Sequence, residues 1–313
     1  MNNKIKIGID VGGTNIEFVA LNETITNKEE AIYHHYDYPK GANCNQLCTV
    51  IYNGINELLI KTSLHFSNVD SIGVAMPGAL DIKQGLIIDA YNLGLKNTPI
   101  VNELKKLISY TNIYLMNDAD AAAFGEYKLG ALRNVSSGCL ITLGTGVGAG
   151  LIINGQLYQG GKLRGTEFGH MTLQLGGKKC TCPSRGCVET LCSGTYIINE
   201  GIIRYRSYDE QYSSKSKIRT AKEIFELAKN EDTIAQSIFN DYVENLSHAL
   251  ASYMALLDPE IIALGGGVSL SGNQLIEPLI KRIDEIAFFH PICQIVQAQL
   301  WNKAGAIGAA LYR

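Results

Sequence analysis

The sequence predicts an α/β protein of two lobes with a central cleft, assembled by internal duplication. Three observations predict it. The chain has 313 residues, enough for two separate cores. A strand, a glycine-rich turn and a second strand open each half: Ile5–Ile9, Asp10-Val-Gly12-Gly13-Thr14-Asn15 and Ile16–Leu21, then Cys139–Leu143, Gly144-Thr145-Gly146-Val-Gly148-Ala-Gly150 and Leu151–Ile153. Recurrence of one such unit marks a duplicated architecture. Around these units, short apolar strands alternate with segments of helical periodicity, as in α/β domains.

Taken in order, residues 45–64 place Leu47, Val50, Ile51, Ile55, Leu58 and Leu59 on one helical face. Val69–Met76 reads as a strand ending at the turn signal Pro77-Gly78. A second helix starts at Pro99, with Ile100, Val101, Leu104, Leu107 and Ile108 as its apolar positions. Asn112–Met116 is a short strand leading to Asn117-Asp118-Ala-Asp120 and an alanine-rich helix. Asp at such a junction often caps the helix, a reading better suited to Asp120 than to Asp118. Thr195–Tyr205 reads as helix, 207–217 as a polar loop, and Thr220-Ala-Lys-Glu223 as a capping box. A long helix over 232–257 turns Ile234, Ile238, Tyr242, Leu246, Leu250, Tyr253 and Leu257 inward and stops before Pro259. Strand 260–264 then delivers Gly265-Gly266-Gly267. Helix 273–289, strand 292–298 and helix 302–312 complete the chain.

Composition narrows the function classes. Hydrophobic residues at 46% and charged residues at 18% describe an ordinary globular protein. A net charge of −3, with no basic run, argues against a nucleic-acid or anionic-membrane surface. No apolar run approaches the roughly 20 residues that span a bilayer. The first residues enter a strand at once and leave no room for a signal peptide, so a cytoplasmic location is expected. In that reducing compartment the eight cysteines are thiols or metal ligands rather than disulfides.

The glycines let backbone amides approach a phosphate, and an acid at the end of a strand, Asp10, can hold Mg2+. Plain hairpins with glycine turns would look the same singly; the pairing of two carries the argument. Asp10, Gly12–Thr14, Gly144–Gly146 and Gly265–Gly267 suit a nucleoside triphosphate held between lobes, and Asp118 suits a general base facing it. A kinase acting on a hydroxyl fits this set, because phosphoryl transfer needs alignment and neutralised charge rather than covalent work by the protein. Asn92, Asn117, Asp118, Glu167, His170 and Glu189 fit a polyol, whose hydroxyls both donate and accept. Cys180, Cys182 and Cys187 with His170 offer a closed set of three thiolates and one imidazole, the donors of a structural zinc site. The alternative is that these cysteines are buried small hydrophobes.

These motifs resemble the ROK family of sugar kinases and repressors, within the actin-like ATPase superfamily. The resemblance rests on Asp10-Val-Gly-Gly-Thr14, Pro77-Gly78, Asn92-Leu93, Asn117-Asp118, Gly144-Thr-Gly-Val-Gly148, Glu167-x-Gly-His170, Cys180–Glu189 and Gly265-Gly-Gly267, and covers the whole chain. It implies a duplicated ribonuclease H-like fold. The small lobe would be 1–118, with helix 302–313 packing back on it; the large lobe, 119–301, would carry the zinc loop. It implies ATP with Mg2+, contacted by Asp10, Gly12, Gly13, Thr14, Asn15, Gly144, Thr145, Gly146, Gly265, Gly266 and Gly267. Asp118 would be the base on the 6-hydroxyl of a hexose, with Asn92, Asn117, Glu167, His170 and Glu189 on the other hydroxyls. Zinc would sit on His170, Cys180, Cys182 and Cys187, and the protein would be a homodimer.

Three departures from the family pattern stand out. Asp120 replaces the usual Asn, and Pro183 removes an amide after the second cysteine. Leu95 stands where many glucokinase-like members carry Trp, and with Asn92-Leu-Gly-Leu95 and Glu189–Gly194 it leans toward the allose kinase branch. Glucose and allose are therefore the expected substrates, with N-acetylmannosamine or fructose as alternatives. A catalytically silent sugar sensor or a ROK regulator is a further alternative. The regulator's helix-turn-helix has no room ahead of residue 4, and Asp118 with both phosphate loops argues for catalysis.

Overall fold

The computed structural model describes residues 4–22, 24–25, 27–108, 112–208 and 219–313. Of the loop expected over 207–217, Ser207 and Tyr208 belong to a helix and the rest lies outside the described residues. Two compact units make up the chain. The first comprises residues 1–136, 150–166 and 299–313, the second 137–149 and 167–298. This division differs from lobes meeting at residue 118, because the helix that follows Asp118 packs within the first unit.

The first unit begins β1 (Ile5–Val11), β2 (Asn15–Leu21), β3 (Ile32–Asp37), α1 (Cys44–Thr62) and β4 (Val69–Met76). A small antiparallel sheet follows, β5 (Ala79–Asp81), β6 (Leu86–Ala90) and β7 (Leu95–Thr98), then α2 (Ile100–Leu107), β8 (Asn112–Asn117) and α3 (Asp118–Leu129). Its main sheet has the order β3-β2-β1-β4-β8. The hairpin strands run antiparallel, and β1, β4 and β8 run parallel. Alternate β1 side chains, Ile7, Ile9 and Val11, are fully buried with Ile16 and Phe18, which fixes the register because a one-residue slip would turn them to the opposite face, where even a Cβ on Gly8 would lie 1.8 Å from the Ala306 carbonyl oxygen. Helix α1 starts at an Asn43–Gln46 capping box and buries Leu47, Ile51, Ile55, Leu58 and Leu59. In α2, Leu107 is 44% exposed rather than inward, since it lies in the last turn. Leu95 is buried in this unit's core, so it does not report on a sugar pocket directly.

Strands β9 (Gly138–Leu143), β10 (Val147–Ile153) and β11 (Gln156–Tyr158) precede α4 (Glu189–Cys192), α5 (Gly194–Tyr208), α6 (Ala221–Lys229) and α7 (Thr233–Leu257). Then come β12 (Ile261–Gly265), α8 (Gly266–Ser269), α9 (Asn273–Ile286), β13 (Gln294–Gln297) and α10 (Ala304–Leu311). The second sheet has the order β11-β10-β9-β12-β13, with β9, β12 and β13 parallel. That repeats the first sheet strand for strand, so the duplication read from two glycine turns extends to the whole sheet. The boundary between units falls inside β10, after Ala149. Within the second unit α7 is the central helix; Asp232 caps it, and Ile238, Tyr242, Leu246, Leu250 and Tyr253 are buried. Ile234 and Leu257, one near each end of α7, are only half-buried.

Helix α10 belongs to the first unit, and its residues Ala304–Ala310 are buried all round. Small residues allow this: a Cβ on Gly308 would lie 1.7 Å from the Ala121 carbonyl oxygen of α3, and one on Gly8 would lie 1.8 Å from that of Ala306. The backbones of α10, α3 and β1 therefore touch. Glu126 of α3 is fully buried, and its carboxylate accepts from the amides of Ala131 (2.7 Å), Gln299 (2.9 Å) and Leu300 (2.7 Å). Three charge-assisted bonds offset the cost of burying the charge and set where the chain enters α10.

Candidate active site

The residues singled out from the sequence fall into two groups, one in each unit. In the first, Asp10 is the penultimate residue of β1, and the turn after the strand is closed by the Gly12 amide donating to the Asn15 carbonyl at 2.8 Å. Gly13, Thr14 and Asn15 are exposed, and nothing in the protein lies within 4 Å of where a Gly13 side chain would start. A Cβ on Gly305 would come 2.2 Å from Asp10 Oδ2, so the first turn of α10 lies directly against this carboxylate.

Asp118 opens α3 where β8 ends. Asn117, not either aspartate, is the N-cap: its side-chain oxygen accepts from the amides of Ala119 (2.9 Å) and Asp120 (3.1 Å). Asp120 is fully buried in the first turn, which replaces the capping role expected of it. Asp118 Oδ1 accepts from the Ala119 amide at 2.8 Å, which orients the carboxylate. Burial raises the Asp118 carboxyl above the ordinary range, against the pull of that amide. Burial, the charge of Asp118 and the charge of Glu17 raise the Asp10 carboxyl to about 8. The two acids thus share one field. Asn92 lies exposed in a short turn, Tyr91–Leu93, that ends at Gly94.

In the second unit the loop is shorter than the sequence indicates, since β10 starts at Val147. Gly144–Gly146 is its whole extent, with the Gly144 amide donating to the Gly146 carbonyl at 2.9 Å. The start of α5 supports it: the Gly194 amide donates to the Gly144 carbonyl at 2.7 Å, and the Thr195 hydroxyl to the Thr145 carbonyl at 2.6 Å. That support had no sequence signal beyond a small residue at 194. Gly265 ends β12, and Gly266 and Gly267 begin α8.

Glu167 precedes a 3-10 turn, Phe168–His170, anchored by buried Phe168 edge-on to Tyr253 at 5.0 Å. Glu189, the first residue of α4, behaves differently from a residue that only faces a ligand. Its Oε2 accepts from the Val147 amide at 3.1 Å, and its Oε1 from the Thr181 hydroxyl at 3.2 Å. A Cβ on Gly146 would lie 2.3 Å from Oε2.

One donor atom each from His170, Cys180, Cys182 and Cys187 lies within 4.8 Å of the other three. Cys180 Sγ is 3.6 Å from His170 Nδ1, and Cys182 Sγ is 3.6 Å from Cys187 Sγ. Tetrahedral zinc with Zn–S of about 2.3 Å and Zn–N of about 2.0 Å requires donor separations of roughly 3.5–3.8 Å. The donor set fits zinc in its chemistry, and the Cys180–His170 and Cys182–Cys187 separations match this spacing. Burial and the neighbouring Cys182 and Cys180 sulfurs push the Cys187 thiol up to about 12, a crowding that a dication relieves. The knuckle is formed by backbone: the Cys180 amide donates to the Ser184 carbonyl at 3.1 Å, and the Val188 amide to the Met171 carbonyl at 2.9 Å. Nδ1 faces the sulfurs, leaving His170 Nε2 on the other side of the ring.

The chain is similar over most of its length to known sugar kinases. A glucokinase of Halalkalibacterium halodurans is 32% identical over 317 aligned residues, covering 98% of this chain and 94% of the relative. An N-acetylmannosamine kinase of Vibrio vulnificus is 31% identical, covering 86% of this chain and 85% of the relative. The crystal structure of a ROK family glucokinase from Streptomyces griseus, in complex with glucose and AMPPNP, is similar with a TM-score of 0.81. Its identity is 28%, and 98% of each chain is covered. Fold and relatives together define an ATP-dependent hexose kinase with the actin-like ATPase fold. The chain belongs to the ROK family, whose pattern matches residues 6–312. Among the described residues no helix is long and apolar enough to cross a membrane.

Proposed function

We propose that this protein transfers the γ-phosphoryl group of ATP to the 6-hydroxyl of glucose or allose, with Asp118 as general base. The carrying observation is the seat of Asp118 at the β8–α3 junction, oriented by the Ala119 amide and raised in pKa by burial. A base made stronger than an exposed aspartate is better matched to a hydroxyl proton. Asn92, Asn117, Glu167, His170 and Glu189 hold the remaining hydroxyls. Asn117 donates through Nδ2, and His170 offers Nε2.

The residues assigned to ATP are Asp10, Gly12, Gly13, Thr14 and Asn15, together with Gly144, Thr145, Gly146 and Gly265–Gly267. Mg2+ bound with ATP supplies charge neutralisation, and Asp10 would hold it directly or through water. His170, Cys180, Cys182 and Cys187 would hold a structural Zn2+, which supplies rigidity and leaves no coordination position for chemistry. N-acetylmannosamine is the second reading of the substrate, favoured by the 31% identity to a kinase of that sugar. The enzyme works as a cytoplasmic homodimer on this reading; light scattering giving the mass of one chain, 34.1 kDa, would exclude the dimer. ADP release over glucose, allose, mannose, fructose and N-acetylmannosamine tests the substrate. The reading predicts the highest kcat/KM for glucose or allose, and release with none of the five would sink it.

A further inference from the structure

Glu189 stands between two features that the sequence treats separately. On one side is the Gly144–Gly146 loop, whose Val147 amide donates to Oε2 at 3.1 Å and whose Gly146 approaches so closely that a Cβ would lie 2.3 Å away. On the other is the cysteine knuckle, from which the Thr181 hydroxyl donates to Oε1 at 3.2 Å. Thr181 is the residue between two sulfur donors, and its hydroxyl oxygen is also 3.8 Å from Cys180 Sγ. A continuous polar path therefore runs from a knuckle sulfur through Thr181 and Glu189 to the amide that ends the glycine loop. We propose that Thr181 and Glu189 form a strut through which the metal knuckle sets the position of the nucleotide loop, so that nucleotide affinity depends on a residue of the knuckle.

Thr181 is a positioning residue in this account. It is exposed and meets the loop through Glu189. Its hydroxyl fixes the rotamer of Glu189, and Glu189 in turn holds Val147 by a charge-assisted bond. Because Gly146 has no room for side-chain displacement, a change in the Glu189 rotamer must move the loop or leave the Val147 amide without its acceptor. The inference rests on reading Gly144–Gly146 as a nucleotide loop.

The test is AMPPNP binding to the full-length enzyme without sugar, followed by calorimetry, with zinc content measured on the same samples. Thr181→Val keeps the side-chain volume and removes the hydroxyl; Thr181→Ser restores it; Gly146→Ala perturbs the loop itself. The strut predicts that Thr181→Val weakens AMPPNP binding about 3- to 10-fold at unchanged zinc content. Thr181→Ser should bind as the wild type does. Wild-type affinity in Thr181→Val, alongside weakened binding in Gly146→Ala, would overturn the strut and leave the loop assignment standing. Wild-type affinity in both variants would overturn the loop assignment, and the strut with it. Zinc lost together with affinity in Thr181→Val would show that Thr181 builds the metal site rather than transmitting its position, which also overturns the strut.

Discussion

Replacing Asp10 with Asn isolates a carboxyl whose titration depends on the fold. In the folded chain the Asp10 carboxyl is raised from 3.8 to about 8 by burial and by the charges of Asp118 and Glu17. Between those two pH values the folded state holds a proton that the unfolded state has released. The contribution of Asp10 to stability is therefore fully present below about pH 4 and is lost as pH rises through 8. At about 1.4 kcal/mol per tenfold change, the full span corresponds to roughly 6 kcal/mol, an upper bound. Relaxation and water near a partly accessible group reduce the measurable part to about 1–3 kcal/mol. Asp10→Asn removes this titration, so the apo variant should gain stability over wild type as pH increases, by about 1.5–4.5 °C in Tm at pH 8. Magnesium with AMPPNP should then stabilise the wild type strongly and the variant little. Thermal unfolding at pH 5 and pH 8, with and without that ligand pair, gives all four quantities. Parallel pH profiles for the two proteins would refute the reasoning, as would equal stabilisation by the magnesium complex.

Cys182→Ser should lower zinc content and Tm together, since breaking a closed site removes binding free energy that is also folding free energy; unchanged Tm with full zinc would contradict the site. Glu126→Ala leaves the buried Leu300 amide and the part-buried Ala131 and Gln299 amides without their acceptor and should cost about 2–3 kcal/mol, read as a lower urea midpoint at constant slope. Gly305→Ala places a methyl group 2.2 Å from Asp10 Oδ2. It should raise the KM for magnesium-ATP at least several-fold while leaving the KM for sugar nearly unchanged, and equal changes in both would count against Asp10 as the cation ligand.

Much of this architecture is written in short-range sequence signals. The paired glycine turns, the burial of Leu47, Ile51 and Ile55 in α1, and the capping boxes depend on residues within a few positions of each other. The end of β8 at Asn117 is equally local, but the identity of its cap was not: Asn117, Asp118 and Asp120 are all competent caps, and only burial of Asp120 by the rest of the first unit decides among them. Long-range contacts were illegible for the same reason. Nothing near Glu126 indicates that residues 299 and 300 supply its donors. Nothing near Glu189 indicates that one carboxylate oxygen meets Thr181 and the other Val147. The knuckle was readable because cysteine and histidine have few alternative uses at such density, whereas a carboxylate has many.

The central claim is that Asp118 takes the proton from the sugar hydroxyl. Asp118→Asn keeps an oxygen to accept the Ala119 amide and so preserves the local fold. Its kcat for ADP release with the preferred hexose is the most direct measurement. A positioned base contributes about 10²- to 10⁴-fold, so kcat should fall by at least 100-fold while sugar affinity, measured by calorimetry, changes less than about threefold. A kcat within tenfold of wild type, at unchanged sugar affinity, would contradict the account.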